Sequence, residues 1–163
     1  MMRAFSSILI PYQSSHMKTL IKKISPEILH YGILAVSALG VAGSLFFSEV
    51  MELPPCVLCW YQRIALYPIV LLAIVGIVRK DTKLATYVFP LSFVGLLISV
   101  YHNLLYWKIL PESVAPCTLG ISCTTKFFEW FGFVTIPFMA LCAFIVITVL
   151  SFISLKKSNY EKS

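Results

Sequence analysis

The sequence predicts an all-α protein: an integral membrane four-helix bundle with two external loops that carry cysteines. Hydrophobic residues make up 59% of the chain and charged residues only 12%, which is about half the charged fraction of an average soluble domain. The mean hydropathy is +0.88. A chain of 163 residues has room for several spans of about 20 residues each, but for no large soluble domain beside them.

Four uncharged stretches are the predicted membrane spans, and they cover residues 29–48, 64–78, 84–107 and 130–155. The second is short, but it gains a turn if its helix begins near Cys59 and Arg63 extends its charged end to the interface. This division gives a transmembrane domain over residues 29–155, an N-terminal segment over residues 1–28 and a tail over residues 156–163.

Basic residues predict how the bundle is oriented, since they concentrate on the cytoplasmic side of membrane proteins. With the N-terminus inside, ten of the thirteen lysines and arginines are cytoplasmic, and only Arg63, Lys108 and Lys126 are external. We therefore expect an N-in, C-in topology in the cell membrane, with residues 1–28 and 156–163 in the cytoplasm. The same bias explains the net charge of +6 without a nucleic-acid partner.

Local signals mark the individual helices. Small residues recur through the first span and predict close packing against a neighbouring helix. The glycines of this span are Gly32, Gly40 and Gly43. Pro54 and Pro55 predict that the second helix begins at or near Cys56, because proline is preorganised for the first helical turn. The five-residue connection 79–83 makes the second and third helices antiparallel neighbours.

Four of the five cysteines form two pairs, and each pair falls at one of the external loops. Cys56 and Cys59 form a C-x-x-C at a predicted helix start, where unpaired backbone N–H groups and the positive end of the helix dipole favour a thiolate. Cys117 and Cys123 enclose five residues that can close a disulfide loop within reach of a soluble partner. A thiol pair at a membrane edge can pass electrons between a water-soluble protein and a lipid-soluble carrier.

Two simpler interpretations of these cysteines stay open. Each pair could form a static disulfide in the oxidising external compartment, or all four thiols could bind one zinc ion. Covalent haem attachment is disfavoured, because Trp60 rather than a histidine follows the C-x-x-C.

After the second pair, the aromatic stretch 126–131 fits a short helix on the membrane surface or a frayed start to the fourth helix.

Two further residues are candidates for the site. Arg63 lies four positions after Cys59 on the same helical face, where its charge can stabilise a thiolate and its N–H groups can bind a ligand carbonyl. His102, near the external end of the third span, can supply a proton or hydrogen bond to a ligand, or bond to a neighbouring helix. We include His102 with Arg63 and Cys59 among the expected cofactor-binding residues. Cys142, alone in the fourth span, is expected to be buried and inert.

The stretch Cys56-Val-Leu-Cys-Trp-Tyr-Gln-Arg63, the later pair Cys117 and Cys123, and Gly132-Phe-Val-Thr-Ile-Pro137 together resemble the disulfide bond formation protein B family. The resemblance is to its small Gram-positive branch, the BdbC-type thiol-disulfide oxidoreductases, and it spans residues 29–155. It implies a four-helix bundle that takes electrons from an extracytoplasmic thioredoxin-fold oxidoreductase of the DsbA or BdbD type. The electrons would go to a membrane quinone, with menaquinone as the expected cofactor, and the reaction would support disulfide formation in exported proteins.

The resemblance also implies a role for each cysteine of the two redox-active disulfides. Cys56 and Cys59 would be the quinone-proximal pair, with Cys59 the thiolate that contacts the quinone and Arg63 its electrostatic partner. Cys117 and Cys123 would meet the soluble partner, with Cys117 attacked first and a transient bond from Cys123 to Cys56 linking the pairs. Only five residues separate Cys117 from Cys123, far fewer than in the best-known family member.

Two other functions fit part of the pattern. An enzyme similar to vitamin K epoxide reductase would pass electrons from thiols to a quinone epoxide, but the Arg63 motif and the lack of a thioredoxin domain in these residues disfavour it. A four-thiolate metal-binding membrane protein would need both cysteine pairs reduced and converging on one ion.

Overall fold

Four helices dominate the computed structural model, which describes residues 25–111 and 135–161. Helix α1 covers Pro26–Leu45 and continues as a π-helical segment over Phe46–Val50, α2 covers Val57–Val78, α3 covers Leu84–Tyr106 and α4 covers Ile136–Glu161. Each is long and apolar enough to cross a membrane. The described ranges contain no β-strand, so the prediction of an all-α membrane four-helix bundle is confirmed.

The helices form a closed ring in chain order. The strongest helix–helix contacts join α1 to α2, α2 to α3, α3 to α4, and α4 back to α1. The short connection between Val78 and Leu84 makes α2 and α3 antiparallel, as their spacing predicted. In this arrangement the end of α1, the start of α2, the end of α3 and the start of α4 meet at one end of the bundle.

Apolar side chains from all four helices fill the middle of the ring. The fully buried ones include Ile33 of α1, Ile69 and Ala73 of α2, Val88 of α3, and Phe144 and Ile147 of α4. Gly95 of α3 lies directly against the Phe144 ring, and a β-carbon at that position would collide with it. A residue without a side chain is therefore what lets α3 and α4 approach closely here.

The start of α2 confirms the prediction made from the two prolines. Val57 is its first helical residue, and Cys56 occupies the N-cap position with an extended backbone. The side chain of Cys56 accepts a hydrogen bond of 3.3 Å from the Cys59 backbone N–H, which would otherwise lack a partner in the first turn. The cysteine pair thus lies at the helix N-terminus.

The fourth span begins later than the predicted residue 130. Thr135 is not helical but caps the helix that follows, since its hydroxyl accepts the Phe138 N–H at 3.4 Å. Pro137 then lies in the first turn, where its missing N–H removes no helical hydrogen bond. The predicted span followed the apolar composition upstream of Thr135, whereas the cap and the proline fix the start at Ile136.

Two expectations about small residues in the spans need correction. Gly32 and Gly40 pack closely against Leu150 and Leu66, as predicted, but a β-carbon at Gly43 would meet nothing within 4 Å. Gly43 instead lines a cavity. Cys142 is exposed rather than buried, because its position on α4 faces away from the other three helices.

Candidate active site

Cys56 and Cys59 are brought together by the first turn of α2. Their sulfur atoms lie 2.8 Å apart, and both are free thiols. The hydrogen bond from the Cys59 thiol, with a smaller contribution from His102, lowers the pKa of the Cys56 thiol even though burial acts in the opposite direction. In the reduced pair, the first-turn geometry therefore favours a thiolate at Cys56 and a protonated donor at Cys59.

His102 reaches the pair from the end of α3. Its ring is 1% exposed, and its Nε2 atom lies 3.7 Å from Cys56 Sγ. The sequence left a choice between a ligand contact and a helix–helix hydrogen bond for this histidine. In the structure it makes interhelical contacts from both ring nitrogens, and it also lines the cavity beside the thiols.

Gln62 contacts the other side of the His102 ring. The Gln62 amide nitrogen lies 3.4 Å from His102 Nδ1 and donates to the Ser99 hydroxyl at 3.2 Å. Ser99 in turn donates to the Gly95 carbonyl at 2.9 Å. All three side chains are buried, so this chain of hydrogen bonds ties α2 to α3 directly beneath the cysteine pair.

Arg63 lies one turn below Cys59 and makes two contacts. Its Nη2 group donates to the Ser44 carbonyl at 2.8 Å, and its guanidinium lies 5.4 Å from the centre of the Trp60 ring. Its Nε atom is buried and has no hydrogen-bond partner among the described residues. A buried charged donor without an acceptor is costly, so Nε marks a place where a ligand oxygen would be stabilised.

The last turn of α1, just before its π-helical segment, provides the acceptor for Arg63. In a π-helix each N–H bonds to the carbonyl five residues back, as the Met51 N–H does to the Phe46 carbonyl at 3.1 Å. Two residues before this segment, the Ser44 carbonyl accepts side-chain donors, Arg63 Nη2 and the Ser48 hydroxyl. The guanidinium is thereby held between α1 and α2.

A cavity of about 330 Å³ opens at this end of the bundle. Cys56, Cys59, Arg63 and His102 line one part of it. Most of the rest is apolar and lies between α1 and α4, where the lining includes Val36, Leu39, Gly43, Met139, Ala143 and Phe144. The arrangement places a redox-capable sulfur pair and a buried positive charge against one apolar chamber.

The structure tests only part of the predicted site. It brings Cys56, Cys59, Arg63 and His102 to one cavity, whereas Cys117, Cys123 and the aromatic stretch 126–131 lie outside the described residues. Glu49 and Glu52 are exposed, Glu49 in the π-helical segment of α1 and Glu52 in the connection before α2.

Sequence reasoning missed three polar residues beside the site. These are Gln62, Ser99 and Asn103, and the Asn103 amide donates to the carbonyls of Ser99 and Pro137 at 2.8 and 2.9 Å. The sequence could have indicated Gln62 as a site residue, because a polar amide inside an apolar span requires a hydrogen-bond partner. Its partner depends on how α2 and α3 are rotated against each other.

Three possible metal-ligand atoms converge in the reduced site. The sulfurs of Cys56 and Cys59 and a ring nitrogen of His102 lie within 4.8 Å of one another. Two thiolates on a tetrahedral zinc ion are about 3.8 Å apart, given zinc–sulfur bonds of about 2.3 Å, whereas these sulfurs are 2.8 Å apart. The spacing fits a dithiol that can close to a disulfide better than it fits a pair of metal ligands.

Comparison with known proteins identifies the family. The family model "Disulfide bond formation protein DsbB" matches residues 27–154, which include both cysteine pairs, all of α2 and α3, and most of α1 and α4. The chain belongs to the DsbB family. A DsbB-family protein is a membrane thiol-disulfide oxidoreductase, and the reactive C-x-x-C at the start of α2 is consistent with that chemistry.

Individual DsbB-family relatives are similar over most of their length. The chain is 48% identical over 121 residues to "Probable disulfide formation protein C 1" of Bacillus anthracis, covering 74% of this chain and 86% of that protein. It is 41% identical over 119 residues to "Disulfide bond formation protein C" of Bacillus subtilis, covering 73% and 86%. It is 43% identical over 144 residues to "Probable disulfide formation protein" of Oceanobacillus iheyensis, covering 88% and 98%. No solved structure matches the chain significantly.

Proposed function

We propose that this protein reoxidises an extracytoplasmic thioredoxin-fold dithiol oxidase and passes the electrons to a membrane quinone, thereby supporting disulfide formation in exported proteins. The observation that carries the proposal is the Nε of Arg63, which is buried and has no hydrogen-bond partner among the described residues. It lies at a cavity that Cys56 and Cys59 also line. A lipid-soluble electron acceptor with a carbonyl oxygen satisfies both features.

The residues present fit a quinone. Its carbonyl oxygen would satisfy the Arg63 guanidinium, and the apolar chamber between α1 and α4 suits a ring and an isoprenoid chain. The chamber volume of about 330 Å³ falls at the lower end of the usual range for small-molecule sites, roughly 300 to 1,000 Å³. When bound, a quinone supplies a two-electron, two-proton acceptor, and menaquinone remains the expected one.

The cysteines carry out thiol-disulfide exchange. A thiolate of the reduced partner attacks Cys117 and releases Cys123 as a thiolate. The partner's second thiol then attacks the partner sulfur of this mixed disulfide, so that the partner leaves as a disulfide and Cys117 and Cys123 are both reduced. The Cys123 thiolate then attacks Cys56 of the oxidised C-x-x-C, which breaks the Cys56–Cys59 bond and releases Cys59 as a thiolate. Attack of Cys117 on Cys123 re-forms the second disulfide and releases Cys56, so that Cys56 and Cys59 are both reduced. Re-formation of the Cys56–Cys59 bond gives up two electrons and two protons for each partner dithiol that has been oxidised.

Which sulfur of the C-x-x-C is ionised depends on whether Cys56 is free or bonded to another cysteine. With both thiols free, the Cys59 thiol and His102 stabilise a thiolate at Cys56. When Cys56 is bonded to Cys123 it cannot ionise, and Cys59 is then the thiolate. Arg63 is then its nearest positive charge along α2, four residues further on. The proposed role of Cys59 as the quinone-proximal thiolate belongs to this state.

The experiment is a quinone-coupled dithiol oxidation assay with the purified full-length protein. Cys59→Ser is expected to abolish turnover while the protein remains folded, because serine cannot form the disulfide. Cys142→Ser is the matched control, since Cys142 is exposed on α4 and does not line the cavity; it should retain wild-type turnover. Wild-type turnover by Cys59→Ser would refute the proposed role.

The metal-binding and epoxide-reducing alternatives are tested on the same preparation. If metal analysis finds one zinc ion per protein and mass spectrometry finds four cysteines outside disulfides, the protein is a metal-binding protein and the redox proposal is refuted. Dithiol-dependent reduction of a quinone epoxide, without reduction of a quinone, would favour the function of vitamin K epoxide reductase. The proposal predicts two disulfides in the air-oxidised protein and reduction of the quinone itself.

A further inference from the structure

We infer that Gln62 is a positioning residue that holds His102 in the Nε2–H tautomer, so that the ring donates its proton toward Cys56 Sγ. The inference rests on the proposed redox function of Cys56, but it concerns a residue to which neither the family match nor the proposal assigns a role.

The hydrogen bonds of Ser99 fix the orientation of the Gln62 amide. The Ser99 hydroxyl donates to the Gly95 carbonyl at 2.9 Å, so its oxygen is left to accept a hydrogen bond from Gln62 at 3.2 Å. The Gln62 atom beside Ser99 must therefore be the NH₂ group, which has two hydrogens to donate and no acceptor capacity.

The same NH₂ group fixes the tautomer of His102. It lies 3.4 Å from His102 Nδ1, and since it can only donate, Nδ1 must be the unprotonated nitrogen. The ring proton then resides on Nε2, which faces Cys56 Sγ at 3.7 Å. A hydrogen on Nδ1 would place an N–H against the amide hydrogens of Gln62, so the geometry opposes the Nδ1–H tautomer.

Burial makes this arrangement effective. His102 is 1% exposed, Ser99 is fully buried and Gln62 is 7% exposed, so bulk water is not available to compete for their hydrogen bonds. Cys56 Sγ thus meets a fixed N–H donor each time it carries charge, both in the reduced pair and as a leaving group in exchange. The expected consequence is a stabilised reduced C-x-x-C, and hence a more oxidising disulfide.

The first test is nitrogen NMR of the full-length protein labelled with ¹⁵N-histidine, with the His102 signals assigned by their loss in His102→Gln. The wild-type protein should show a pyridine-type Nδ1 and a pyrrole-type Nε2 at His102. Gln62→Leu should give a mixture of tautomers, and Gln62→Glu should invert the tautomer, because a carboxylate accepts from Nδ1–H. A wild-type Nδ1–H tautomer, or no change in either variant, would overturn the inference.

The second test is the redox equilibrium of the C-x-x-C in a dithiothreitol buffer, read by alkylation and mass spectrometry of the peptide that contains Cys56 and Cys59. Gln62→Leu should shift this equilibrium roughly fivefold toward the disulfide, as loss of one modest hydrogen bond would. An unchanged equilibrium in Gln62→Leu would contradict the stated consequence for Cys56.

Two serines of α3 provide a matched pair for both measurements. Ser99 and Ser92 are equally buried, and each donates to a backbone carbonyl of its own helix. Only Ser99 accepts from Gln62, so Ser99→Ala should perturb the tautomer and the equilibrium, whereas Ser92→Ala should change neither. Equal effects of Ser99→Ala and Ser92→Ala would show that the two serines act only through packing. The tautomer result is independent of quinone use, so the inference can fail while the proposed function stands.

Discussion

At the scale of single residues, Arg63 connects the protein to its proposed acceptor. The Ser44 carbonyl and the Trp60 ring hold the guanidinium from two directions, which limits its rotamers before any ligand arrives. Its Nε remains unpaired within the described part of the chain. Binding a ligand oxygen there removes a desolvation cost that the protein otherwise carries.

Arg63→Gln should weaken quinone binding while leaving thiol exchange with the partner intact. A hydrogen bond from a charged donor contributes about 1.5 to 3 kcal/mol, so the KM for quinone should rise by about tenfold to a hundredfold. The measurement is the KM for quinone at saturating dithiol. Arg79→Gln, at the opposite end of α2, is the control and should leave that KM unchanged. An unchanged KM for quinone in Arg63→Gln would show that Arg63 does not contribute to quinone binding.

At the scale of helices, the sequence predicted features that depend on one element and missed those that depend on two. The start of α2 followed from Pro54 and Pro55, and the position of Cys56 in its first turn followed with it. The contact between His102 and Cys56, by contrast, requires the rotation of α3 against α2. The Arg63–Ser44 bond likewise depends on how α1 packs against α2, and the spacing of residues does not reveal either feature.

The packing of α3 against α4 gives a prediction of its own. Gly95→Ala should destabilise the protein by about 1 to 3 kcal/mol, because the new methyl group overlaps the Phe144 ring. Thermal unfolding in detergent would measure the loss, and Phe144→Leu in the same chain should restore part of it. Gly43→Ala is the control, since that position faces open space. Equal stability of the two single variants would contradict the packing account.

At the scale of the whole molecule, the closed ring explains why one end of the bundle holds the chemistry. The end of α1, the start of α2, the end of α3 and the start of α4 converge there, and each contributes to the cavity lining. The distribution of basic residues predicts that this end faces outward. An external position would let an extracytoplasmic partner reach the thiols while the cavity stays open to lipid-soluble molecules.

The proposed orientation can be tested by thiol labelling of intact cells. In a chain whose native cysteines have been replaced by serine or alanine, a cysteine at Glu49 should react with a membrane-impermeant maleimide. A cysteine at Thr82, exposed in the connection between α2 and α3, should react only after the cells are opened. The reverse pattern would place the C-x-x-C in the cytoplasm and contradict the proposed partner.

The central claim is that electrons leave the protein through the Cys56–Cys59 pair to a quinone. The most direct measurement is an anaerobic single-turnover titration, in which fully reduced protein is mixed with a quinone and both quinol and protein thiols are counted. We expect one quinol for each disulfide formed, with Cys56 and Cys59 oxidised and Cys142 still free, and none from Cys59→Ser. Quinol formation by Cys59→Ser at the wild-type yield, or a reduced wild-type protein that leaves the quinone unchanged, would contradict the account.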